Sequence, residues 1–181
     1  VSREVLQQEC LRDEKSWMIA LQRLPVLVFF VLAGTAAGLT LFHFKPLVGG
    51  VLLDEIFRYS QSVSLIDGMT LAQKATHIKL TLFADMLFPL CYGLLLAGLT
   101  IRIYHHTSPW LVSPALLAAG VDILENLVQV AALSGHTNLL VCKSFLTPAK
   151  YGLVLVALCI VVFGALLRRF RKTTVRCSGV K

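Results

Sequence analysis

The sequence predicts an all-α polytopic membrane protein, a bundle of four transmembrane helices with an N-terminal amphipathic helix and a partly helical first loop. Three observations carry this reading. Of the 181 residues 56% are hydrophobic and only 15% charged, and mean hydropathy is +0.75, whereas a soluble domain carries about 25% charged residues. Four stretches reach the roughly 20 apolar residues that a helix needs to cross a bilayer core about 30 Å thick. The basic excess, a net charge of +7 with pI near 9.4, gathers beside those stretches, as at the rim of a membrane protein. Together they exclude a disordered chain, a coiled coil and an ordinary soluble enzyme, and they give no reason to expect nucleic acid as a partner.

Residues 1–23 place Val5, Leu6, Leu11, Trp17, Met18 and Leu21 among charged side chains, the pattern of an amphipathic helix at the membrane interface. The first span, 24–44, carries no formal charge. It is too long, and followed by too much apolar chain, for a cleaved signal peptide. The loop over 45–77 contains two short helical candidates, LLDEIFRYSQ and TLAQKATHIK, with a turn expected at 64–68 and Thr70 as a cap for the second. A loop of this length in a small protein is a natural lid over the end of the bundle. The second span, 78–103, contains Asp85 and Pro89; the third, 112–133, contains Asp122 and Glu125; the fourth, 145–167, has Lys150 near its start. A basic tail, 168–181, follows and opens with RRFRK.

Direction follows from lysine and arginine in the flanks. One side holds Arg3, Arg12, Lys15, Arg23, Arg102 and the basic tail, against Lys45, Arg58, Lys74, Lys79 and Lys143 on the other. This bias puts both termini on the cytoplasmic or equivalent side and leaves the membrane itself open. Cys10, Cys91, Cys142, Cys159 and Cys177 form no C-x-x-C pair. Cys91 and Cys159, within apolar runs, read as small buried hydrophobes.

The informative face lies in the third span. Asp122, Glu125, Asn126 and Gln129 recur at i, i+3, i+4 and i+7, so all four leave the helix on one side. Ala115, Ala118 and Ala119 extend that face with small residues that let a neighbouring backbone approach. Leu116, Ile123, Leu124, Leu127, Val128 and Val130 occupy the other side, toward lipid. Carboxylates inside a span are costly, so they should face the bundle and find partners. The second span offers Asp85 and Tyr92 on a shared face, and Pro89 leaves the Asp85 carbonyl without its usual helical donor. Lys150 and Tyr151 come from the fourth span. Span order places Asp85, Glu125, Asn126, Gln129 and Lys150 about 7–14 Å below the surface that bears the first loop, with Asp122 deeper.

Three carboxylates, Asp85, Asp122 and Glu125, then face one ammonium, Lys150. The imbalance calls for an acid that keeps its proton at neutral pH or for a bound cationic group. His77, at the mouth of the second span, is a further titrating candidate. No metal site is expected, because no histidine lies securely within the apolar stretches, and His105 and His106 fall in a short loop. A purely structural role, polar side chains tying helices together, is the competing reading of the same cluster.

The pair of motifs D-x-x-F-P-x-x-Y, at Asp85, Phe88, Pro89 and Tyr92, and D-x-x-E-N, at Asp122, Glu125 and Asn126, resembles a group of small four-span integral membrane proteins to which no reaction is assigned. The likeness covers about 66–133 and implies a shared fold and polar interior; it brings no known reaction and leaves the cofactor open. Two functions remain open at this stage. One is a binding or accessory protein that holds a lipid-like, quinone-like or amine-bearing ligand, or packs as a small subunit in a larger membrane complex. The other is an intramembrane acid–base enzyme, an isomerase or hydrolase, with Asp122 and Glu125 as its carboxyl pair. Membrane lipids are the expected partners in either case.

Overall fold

A computed structural model describes residues 18–104 and 109–178, with side chains described to residue 170 apart from that of Pro109. Residues 1–17, where the sequence places most of the amphipathic helix, and the pair His105–His106 lie outside the described residues. Among those described the chain is helical, without strands. Four helices are long and apolar enough to cross a membrane, over Leu24–Val48, Leu71–Tyr104, Trp110–Leu133 and Thr137–Phe170.

Helix α1, Leu24–Phe44, begins with a proline in its first turn and ends in a 3-10 turn over Lys45–Val48. Pro25 suits that position, where a backbone N–H has no helical acceptor to lose. Gly49 and Gly50 then reverse the chain at φ of 95° and 82°, a left-handed pair that L side chains resist. The first loop differs from expectation. LLDEIFRYSQ is not one helix: a 3-10 turn over Leu53–Glu55 leads into extended backbone, and helix α2 begins only at Tyr59. Residues 64–68, expected as the turn, are the end of α2, Tyr59–Gly68. Leu53 accounts for the difference, because it is wholly buried and anchors the segment to the bundle. A continuous helix there would carry Asp54 away from its partners.

Helix α3, Leu71–Leu80, starts as expected at Thr70, which forms a reciprocal capping box with Gln73. It runs through a π turn over Thr81–Asp85 into α4, Met86–Tyr104, so the second span is one long rod with a widened turn just before Pro89. Helix α5 is Pro109–Leu133, and α6 is Leu140–Ser178. At 39 residues, α6 is about 58 Å long, and it carries the fourth span into the basic tail as far as Ser178.

Helix α5 packs against α4 and α6, while α1 lies on α4. The small-residue face works as expected. A Cβ on Gly93 would fall 2.6 Å from Ala119 Cβ and 3.2 Å from the Ala115 carbonyl, so α4 and α5 meet nearly backbone to backbone. Leu53, Ile66, Met69, Ala132, Leu133 and Leu140 form one apolar cluster beneath the first loop. Leu96, Ala97, Ile101, Val112, Ala115 and Ala157 form another toward the far end. Cys91 is buried as expected, but Cys159 is exposed on the outer face of α6.

Candidate functional site

The polar face of α5 is sealed within the bundle: Asp122 is 4% exposed, and Glu125, Asn126 and Gln129 not at all. Each finds a different neighbour. Asn126 Nδ2 donates to the Asp85 carbonyl at 2.9 Å. This is the acceptor that Pro89 releases, so a proline on α4 and an amide on α5 complete one another. Asp85 thus enters the network through its main chain. Tyr92 Oη donates to Asp122 Oδ2 at 3.0 Å and also lies 3.2 Å from the Ala118 carbonyl.

Lys150 is the hub. Its Nζ lies 2.7 Å from Asp54 Oδ1 and 3.0 Å from Asp122 Oδ1. Glu125 Oε2 is 2.9 Å away, an ionic contact rather than a hydrogen bond. Carboxylate oxygens of Asp54, Asp122 and Glu125 lie within 4.8 Å of one another, spacing that would suit a metal ion. The Lys150 ammonium occupies that focus, so the cation held by these acids is a side chain of the protein itself.

A second lysine corrects the expected charge balance. Lys143, counted from sequence among the flanking charges, is 1% exposed and lies 3.2 Å from Glu125 Oε1. It also donates to the Ile56 carbonyl, and Thr147 Oγ1 donates to Glu125 Oε1 at 2.6 Å. Asp54 from the first loop enters as well, so the interior holds four carboxylates and two ammoniums rather than three and one. The fourth-span helix begins at Leu140 rather than 145, which brings Lys143 inside. Lys143, Thr147 and Lys150, at i, i+4 and i+7, repeat the spacing of Asp122, Asn126 and Gln129 on α5, and that periodicity was the available signal. Asp54 had a weaker one, an acid directly after Leu52 and Leu53 and followed by Glu55, in an otherwise apolar loop segment.

His77 stays outside the acidic cluster. It is buried, and its Nε2 accepts from the Leu53 N–H at 3.2 Å, which assigns the ring proton to Nδ1. Gln129 reaches Asp54 with Nε2 at 3.5 Å, and its Oε1 has no hydrogen-bond partner.

The network opens between α4 and α6. A groove of about 360 Å³ runs between α4 and α6, lined by Phe88, Tyr92, Leu95 and Leu96 on one wall and by Lys150, Tyr151, Val154 and Leu158 on the other, with Asp54 and Asp122 at its polar end. Glu125 does not line it. The two carboxyls expected to work as a pair are therefore divided, Asp122 toward the groove and Glu125 behind it. No family model matches the chain, nor does any curated protein or solved structure.

Proposed function

We propose that this membrane protein is a binding protein for an amphiphile, held with its polar head at Asp54, Asp122 and Tyr92 and its apolar chain along Leu95, Leu96, Val154 and Leu158. The groove carries the reading, because its walls are apolar while its polar groups converge at one end. Ligand pockets commonly span about 300–1,000 Å³ and join apolar walls to a few placed polar groups. From Lys150 to Leu158 the wall extends about 12 Å along α6, enough for part of a single chain. With both termini on the cytoplasmic side, as the basic flanks indicate, the head lies toward the opposite surface. The outer apolar faces would equally suit contact with a larger membrane complex, but lipid covers them as well.

The test is native mass spectrometry of the full chain in mild detergent, with Val154→Trp placed across the groove. The wild type should retain an amphiphile at one per chain and the variant should lose it. The same adduct on both proteins would refute the groove as the binding site.

A second reading, an intramembrane acid–base enzyme, draws on the hydrogen-bonded series Tyr92, Asp122 and Lys150 at the groove wall. Asp122 with Tyr92, rather than with Glu125, would then be the proton-transfer pair. Turnover of a lipid by purified protein, abolished in Tyr92→Phe, would favour this reading.

A further inference from the structure

The polar end of the groove says which head group it accepts. The only cation in the lining, Lys150, has three carboxylate oxygens within 3.0 Å, so its charge is already balanced by the protein. What faces the groove beyond it is acceptor capacity. Asp54 binds Lys150 through Oδ1, and its side chain is 27% exposed. Asp122 spends one oxygen on Lys150 and the other on Tyr92. Tyr151 has a hydroxyl of either sense but no charge to offer an anion.

Two further observations point the same way. Behind the groove, Gln129 is wholly buried, reaches Asp54 with Nε2 at 3.5 Å and keeps Oε1 without a partner, so the protein supplies no further cation beside Asp54. The flanking walls are aromatic. Phe88 and Tyr92 meet edge to face at 5.7 Å, and Phe57 and Tyr151 lie tilted at 5.8 Å, with the Lys150 ammonium already 5.3 Å from the Tyr151 ring. Aromatic faces beside carboxylates are the chemistry that receives an ammonium ion.

Resting on the groove as the binding site, we infer that its ligand is a single-chain cationic amphiphile, an alkyl ammonium whose head meets Asp54 between the aromatic walls. An anionic head would meet Asp54 and Asp122 with no free positive charge to offset them. A neutral acceptor head would find hydroxyl donors only.

The experiment measures binding of dodecylamine, dodecanol and dodecanoate to the full chain in mild detergent, with ethanolamine as a competitor that has the amine head but no long chain. Dodecylamine should bind at least tenfold more tightly than dodecanol, dodecanoate should not compete, and ethanolamine should not displace the amine. Asp54→Asn should weaken dodecylamine about tenfold and leave dodecanol unchanged. Tyr151→Leu, at a half-exposed position that folding tolerates, should weaken the amine severalfold. Equal or tighter binding of the alcohol or the carboxylate, lost in Val154→Trp, would overturn the head-group assignment while the groove stands. Displacement by ethanolamine would overturn the requirement for a chain. Absence of binding by all three, or binding that Val154→Trp leaves untouched, would sink the groove reading and this inference with it.

Discussion

Asp122 and Glu125 stand one helical turn apart on α5, both carry a carboxylate and both contact Lys150, yet they occupy different worlds. Glu125 is walled in by Thr147, Lys143 and Lys150 and does not line the groove. Asp122 holds Lys150 and Tyr92 while facing the groove. The difference teaches that the cost of an intramembrane charge says little about its use. What distinguishes a tie between helices from a recognition group is whether its surroundings are closed.

The largest expected effect breaks the closed side. Glu125→Leu leaves Lys143 without its carboxylate and should cost about 3–5 kcal/mol, the usual penalty for one partner of a buried pair, read as a loss of folded protein in detergent unfolding. Next comes the helix contact that holds both acids in register. Gly93→Val puts side-chain atoms into Ala119, already 2.6 Å from the first added carbon, and overpacking of this kind costs about 1–3 kcal/mol. A lowered unfolding temperature should accompany loss of ligand, because Tyr92 is carried on the same turn.

On the open side the balance reverses. Tyr92→Phe removes one hydrogen bond to a carboxylate, worth about 1.5–3 kcal/mol, so unfolding should move less than in Glu125→Leu while retained amphiphile falls clearly. If Tyr92→Phe destabilised the fold as much as Glu125→Leu, the contrast between the two sides would collapse. The smallest effect belongs to Lys45, which pairs with Glu55 at 2.6 Å near the surface, with side chains 29% and 46% exposed. Lys45→Met should cost at most about 1 kcal/mol, and its ligand content should match the wild type.

How much of this was legible in the sequence depended on whether partners shared one helix. The four polar residues of α5 could be placed together because their spacing alone fixes a face. The Asp85 carbonyl was legible because Pro89 must free it, and Asn126 takes it up. Thr70 declared its cap through Gln73 three residues on. Asp54 was not legible, since it reaches Lys150 across 96 positions only when Leu53 buries the loop. Lys143 was obscured for another reason: a lysine near the end of an apolar run looks the same whether it points to water or to a buried acid.

The ion pairs between α5 and α6 also bear on how the chain enters a bilayer. A carboxylate at the centre of an inserting helix costs about 2.5–3.5 kcal/mol, and lysine costs a similar amount. Helix α5 alone would bring Asp122 and Glu125 into lipid uncompensated, and α6 alone would bring Lys143 and Lys150. Only the short link over 134–139 separates them. The two helices thus form a natural insertion unit, an acidic arm and a basic arm that neutralise each other as a hairpin. Insertion of the third span is therefore expected to be unfavourable until the fourth arrives.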